Sequence, residues 1–255
     1  MYVSKKIKIT AGIIIFILIV VNGALIIKLS PEDSNMDIPV MEDDTGEKLQ
    51  IETVPGIRIT CGEGFYYEPL SEEIKLKISG KSFRENDLID YSDLRLVTVR
   101  YIGFDDLEHE GELIVNVQVA DDVAAIFKDL YDARYPIEKI RLIDEYDADD
   151  EASMADNNTS AFCFRQIDGQ ETISDHSYGI AVDINPFYNP YVRSGFGDRN
   201  VLPVNAGAYA DRTADFPYKI VAGDVCYNAF VSRGWKWGGE WDFPKDYQHF
   251  YKEIY

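Results

Sequence analysis

The chain has 255 residues, 46% of them hydrophobic and 13% aromatic, which is enough for one well-cored domain and too aromatic for a disordered chain. Its formal charge is -20, and because Lys5, Lys6, Lys8 and Lys28 fall in an opening stretch of 28 residues that holds no acid, the remainder is more acidic still. Such a surface repels phosphate backbones and argues against nucleic acid as a partner.

Residues 9–27, ITAGIIIFILIVVNGALII, carry no charge and as a helix would be roughly 28 Å long, about the thickness of a hydrocarbon core. The segment reads as a transmembrane helix. VNG before Ala24 has the small residues of a signal-peptidase site, but the apolar run is longer than a signal core, so an uncleaved anchor is expected. The lysines make residues 1–8 a cytoplasmic end, which predicts a single-pass protein of the cell membrane with its main domain outside. Residues 28–56 are acidic, contain prolines and lack a sustained period; they read as a flexible tether. From 57 to 255 the pattern is globular, without repeat or second linker, and predicts one domain. Cys61, Cys163 and Cys226 allow at most one internal disulfide, and no Cys-x-x-Cys zinc knuckle exists.

Within that domain, 71–83 predicts a short helix capped by Ser71, while 93–104 and 111–120 alternate and are β-branched, as strands are. Residues 121–135 predict a helix with Val123, Ile126, Phe127 and Leu130 on its apolar face, and 137–146 read again as a strand. A helix in GDVCYNAFVSRGW follows a long loop. With one helix between long strands and hairpin-like spacings elsewhere, the expected fold is α+β: a small, largely antiparallel sheet with flanking helices.

The informative stretch is SDHSYGIAVDIN, residues 174–185. In GIAVDIN, alternation places Ile180, Val182 and Ile184 on one face and Ala181, Asp183 and Asn185 on the other, so a carboxylate stands beside a small side chain. Gly179 accepts a turn that brings His176 back over that polar face. A histidine and an aspartate converging on one spot point to a metal. Only two other histidines exist, and His249 sits in DYQHF, three residues after Asp246; on a helical turn His249 would bind the ion while Asp246 faced its water. Three ligands with an open fourth position give the logic of a hydrolytic zinc site, where the bound water has a pKa near ~7 and a carboxylate takes its proton.

These residues resemble the M15 zinc peptidases of bacterial cell walls, whose signature Ser-x-His-x-x-Gly-x-Ala-x-Asp is met at every fixed position from Ser174 to Asp183, with Asp-x-x-His supplied by DYQHF. The preceding GWKWGGEW is most similar to the L-alanyl-D-glutamate endopeptidase branch, and the likeness spans roughly residues 100–252. The resemblance implies zinc held by His176, Asp183 and His249, Asp246 as the catalytic carboxylate, and peptidoglycan stem peptides as substrate, with D-alanyl-D-alanine carboxypeptidase activity or a wall-binding zinc domain as alternatives. It also places an arginine just before the first motif, which here is Arg165. If AFCFR is a strand, Arg165 shares a face with Ala161 and Cys163 and can grip a substrate carboxylate; the plainer reading is a surface ion pair. His109, beside three acids, reads as a hydrogen-bonded edge histidine, Glu240 as a solvated competitor for the base role, and Trp235, Trp237 and Trp241 as core or cleft wall. The acidic run at 144–158 lacks the glycine and closing glutamate of a calcium loop and reads as solvated.

Overall fold

The computed structural model describes residues 57–167, 169–193 and 200–254, together with the backbone at 17–21, 24–28 and 38–39. Contacts divide the chain into Met1–Met36 and Asp37–Tyr255. Of the segment 9–27, only Ile17–Val21 and Ala24–Lys28 fall among the described backbone, as an antiparallel pair; its Ile and Val residues suit extended backbone as well as a helix. The rest of the predicted membrane helix, and nearly all of the tether, lie outside the described residues. No helix among the described residues is long and apolar enough to cross a membrane.

The second unit is α+β. Strands β1 (Ile59–Gly62), β2 (Phe65–Pro69), β3 (Leu94–Ile102) and β4 (Glu108–Asn116) form an antiparallel meander, with Ile38–Pro39 parallel to β1 at its edge. The long hairpin β3–β4 runs in register from Leu94↔Asn116 to Ile102↔Glu108. Both faces of this sheet are covered, because β3 alternates between two cores: Val97 and Val99 face the main one, and Leu94 and Leu96 the second. Helix α1 (Glu72–Ile78), with the Ser71 hydroxyl accepting from Ile74 N–H, closes the second core through Ile78. Helix α2 (Ala120–Asp132) lies on the opposite face, and its Val123, Ile126, Phe127 and Leu130 are fully buried, as the 3.6-residue period predicts.

The predicted strand 137–146 shrinks to β5 (Lys139–Ile140), which pairs in parallel with β6 (Asn158–Thr159). The chain leaves the extended conformation because Asp144 is drawn inward, its carboxylate accepting from the backbone and hydroxyl of Ser82, and a 3-10 turn forms at Ile143–Tyr146. Helix α3 (Asp150–Ala155) follows, capped by Asp149. The acidic run folds while many of its acids stay solvated: Asp147, 86% exposed, pairs with Lys81, and Asp156 with Lys139.

Two three-stranded sheets complete the domain. In one, β7 (Ala181–Asp183) and β10 (Lys236–Trp237) flank β12 (His249–Tyr251), all antiparallel. In the other, β8 (Tyr191–Val192) lies between β9 (Val201–Leu202) and β11 (Lys245–Asp246). Helix α4 (Val225–Val231), capped by Asp224, packs Phe230 onto Phe250 of β12. Between β9 and α4, Arg212 donates to the carbonyls of Tyr188 and Ile220 and to Asn189 Oδ1, folding this long loop onto itself. All three cysteines are free thiols.

Candidate metal centre

Ser174 begins the site by capping a 3-10 turn, Asp175–Tyr178, that ends at Gly179 with φ 68°, a left-handed conformation. A Cβ at Gly179 would lie 2.6 Å from the amide nitrogen of Asn116, so glycine is required both for the turn and for its approach to β4. Asn116 holds the turn from the other side, its backbone N–H donating to Gly179 and its side chain to Tyr178. Ser177 ties the turn to the 161–165 segment, its hydroxyl accepting from Arg165 N–H and donating to Arg165 C=O.

This folding buries His176 and fixes its tautomer. Nδ1 lies 2.5 Å from the carbonyl of Ala161, to which only a protonated nitrogen can donate, so the lone pair is on Nε2. Nε2 stands 3.1 Å from Asp183 Oδ2 and 3.1 Å from His249 Nδ1. Asp183 and His249 face each other across β7 and β12, with Oδ1 3.1 Å from Nδ1. All three residues are at most 5% exposed. The alternation expected in GIAVDIN holds: Val182 and Ile184 enter the main core while Asp183 turns to the site.

Two imidazole nitrogens and a carboxylate oxygen aimed at one point form an unstable group unless they share a cation. Burial disfavours a charged His249, but Asp175 and Asp183 outweigh it and push the imidazole up to about 10, while His176 and His249 hold the Asp183 carboxyl far below its ordinary range against the same burial. The ligand atoms lie within 4.8 Å of one another, and their 3.1 Å separations are close to the ~3.3 Å between tetrahedral ligands of a zinc ion. The mixed nitrogen and carboxylate donors suit zinc, whereas magnesium and calcium select oxygen shells. The residues fit zinc.

Asp246 is placed differently from the expectation. DYQHF forms no helical turn: Asp246 ends β11 opposite Tyr191 and His249 begins β12, because the aromatic residues around them pair as strands. Asp246 is nevertheless beside the ligands without joining them. One of its carboxylate oxygens is buried without a hydrogen bond, and burial, reinforced by the charge of Asp183, pushes its pKa to about 7 against the pull of His249, His176 and Gln248. The glycines of WGGEW make this possible, since a Cβ at Gly238 would sit 2.7 Å from the Asp246 carbonyl oxygen and 2.8 Å from its Cβ. Glu240, the competing carboxylate, accepts from the Tyr227 hydroxyl at 2.7 Å.

A family model described as D-alanyl-D-alanine carboxypeptidase, of the M15 peptidases, matches residues 168–252. That segment is similar to the M15 peptidases. The M15 segment contains His176, Asp183, Asp246 and His249, and is shorter than the likeness read from 100 to 252. No curated protein and no solved structure matches the chain.

Arg165 lies just before the M15 segment. AFCFR is not a regular strand: Phe162 and Phe164 face the second core as expected, but Ala161 is part of the main core and Cys163 is also buried, so the segment passes between two cores with no open polar face before Arg165. Arg165 Nη2 pairs with Asp150 of α3 at 2.9 Å, and its Nε is buried without a partner. Burial disfavours its charge, but Asp150, Cys163 and Asp183 together raise its pKa, which places the guanidinium in the field of the metal ligands. The ion pair of the plainer reading is present, with the Arg165 side chain 24% exposed.

The sequence reading missed Asp175, whose Oδ2 lies 3.6 Å from His249 Nε2 and so favours the tautomer that turns Nδ1 to the site. His109 is an edge residue as read, against Asp105 at 3.0 Å and stacked on Tyr101. Trp235 and Trp237 are core, and Trp241 lies beside the His249 ring with Nε1 donating to Tyr251.

Proposed function

We propose that the domain is a zinc metallopeptidase that hydrolyses peptide bonds in peptidoglycan stem peptides, with the L-alanyl-D-glutamate bond as first choice. The observation that carries this reading is the buried convergence of His176 Nε2, Asp183 and His249 Nδ1 next to an unpaired Asp246 carboxylate inside an M15 segment. His176, Asp183 and His249 hold the ion, each histidine oriented by an acceptor on its far nitrogen. Zinc held there supplies a Lewis acid and lowers the pKa of a water molecule. Asp246, with a pKa near neutrality, takes the proton of the attacking water at its unpaired oxygen and returns it to the leaving amine. Arg165, through Nε, donates to a carboxylate or carbonyl oxygen of the substrate.

The choice of bond rests on GWKWGGEW; the description of the matching family model favours removal of a terminal D-alanine instead. Incubation with purified stem peptides and mass analysis of the products separates the two. Fragments beginning at D-glutamate support the first, loss of D-alanine alone supports the second, and intact peptides with a full complement of zinc would leave only a wall-binding role. We further propose that residues 9–27 anchor the protein in the cytoplasmic membrane with the peptidase outside, on the strength of their hydropathy and the flanking lysines. Protease added to intact wall-less cells should then remove the domain, and its protection would reverse the topology.

A further inference from the structure

Arg165 is tied to the turn that carries His176 by its backbone, and to α3 by its side chain. Residues 161–165 run along that turn: the Ala161 carbonyl meets His176 Nδ1, and Cys163 N–H donates to the His176 carbonyl at 3.2 Å. At the end of the run the Arg165 carbonyl accepts from Ser174 N–H at 3.1 Å, while its own N–H donates to the Ser177 hydroxyl at 2.8 Å. The main chain of Arg165 is thereby held beside the metal ligand. Its guanidinium is not, because several rotatable bonds separate it from that main chain and ordering them costs entropy.

Asp150 supplies the missing constraint. Its Oδ2 lies 2.9 Å from Arg165 Nη2, and with side chains 27% and 24% exposed the pair still reaches solvent. The carboxylate stands on a helix that is itself fastened. Asp149 caps α3, Glu151 Oε1 accepts from Val204 N–H at 2.6 Å, and Met154 Sδ accepts from the side-chain nitrogen of Gln248, the residue before His249, at 3.4 Å. Burial disfavours the Arg165 charge, and Asp150 is the strongest influence opposing that burial.

We propose that Asp150 is a positioning residue, which holds the Arg165 guanidinium in the orientation that meets the substrate and acts on the reaction only through that arginine. The proposal rests on the peptidase reading, in which Arg165 donates to a substrate oxygen. A single contact at Nη2 leaves other donors of the guanidinium uncommitted, and ordering the group beforehand removes a cost that the substrate would otherwise meet on binding. Asp150 also repels a substrate carboxylate. If position outweighs that repulsion, removing the side chain lowers activity while neutralising it does not.

The test is a double-mutant cycle on the zinc-loaded full chain with a lysine-containing stem peptide, read as kcat/KM. Arg165→Ala and Asp150→Ala should each lower it about 10- to 100-fold, the range for a hydrogen bond to a charged group. The double variant should match Arg165→Ala to within about threefold, because Asp150 has nothing to position once the guanidinium is gone. Asp150→Asn keeps an oxygen for Nη2 and should return to within about threefold of the parent, with zinc content equal throughout. Asp150→Ser, too short to reach the guanidinium, replaces the alanine variant in the cycle if that variant does not fold. Parent-like activity in Asp150→Ala or Arg165→Ala, an asparagine variant as poor as the alanine one, or losses that multiply in the double variant overturn the proposal and leave the peptidase reading intact. A parent that cleaves no stem peptide overturns the peptidase reading instead. The same cycle in dissociation constants for the peptide then decides Asp150: losses that do not multiply support it, and losses that multiply or are absent refute it.

Discussion

The raised pKa of His249 would make the proposed zinc binding a pH-dependent exchange. Its folded pKa, pushed up to about 10, lies above the ordinary imidazole value near ~6.5, so its contribution to stability is complete below ~6.5 and is lost as pH rises through about 10. The metal-free domain should therefore lose urea resistance over that window while the zinc form does not. Zinc must displace the same proton, so its apparent affinity should rise by up to tenfold per pH unit towards pH 10, with a proton released per ion in calorimetry run in two buffers. A flat affinity across pH 6 to 9 would show that His249 is neutral beforehand. Asp175 works on the far nitrogen of this ring. Asp175→Ala should weaken zinc binding about 10- to 100-fold in chelator competition, and Asp175→Asn, which retains an acceptor, by less. Asp246→Asn should leave zinc in place and lower kcat by about 10² or more; near-normal turnover would disqualify it as the base.

At the scale of elements, two glycines govern two different properties of the site. Gly179→Ala meets both the left-handed φ and the Asn116 backbone, so it should destabilise the domain by about 1–2 kcal/mol or more and loosen His176, with zinc lost at chelator concentrations that the parent withstands. Gly238→Ala pushes on Asp246 instead, and should depress kcat while zinc content is unchanged. If both variants lose zinc equally, the division between holding the ion and positioning the base is wrong. The first of these devices was legible in the sequence, because His-x-x-Gly followed by an alternating strand encodes a local turn and a local face. The apolar stripe of α2 and the cap Ser71 were legible for the same reason. Asp246 and His249 were legible as residues but not as structure: three-residue spacing fits a helical turn, and their strands are specified by partners at Tyr191 and Asp183, more than 50 residues away. Strand 137–146 failed likewise, since the hydroxyl and amide of Ser82 that draw Asp144 inward leave no trace in the local pattern.

For the molecule as a whole, the proposed zinc ligands tie together a loop turn, β7 and β12, so metal should act as a cross-link on global stability. At free zinc a thousandfold above its Kd the domain should gain about 4 kcal/mol, and a chelator should lower Tm by roughly 8 to 16 °C. An unchanged Tm would mean that the ion sits elsewhere or binds weakly. β12 is also the central strand of its sheet, flanked by β7 from 66 residues earlier and by β10 from only a few turns before it. This placement has a consequence for biosynthesis. A nascent chain still held at residue 240, on a ribosome or in a translocation channel, has His176 and Asp183 ready but no third ligand, no base, and two strand edges waiting for a partner. The proposed site thus stays incomplete until the segment around His249 has come free, since β12 supplies both the third ligand and the strand that joins β7 to β10.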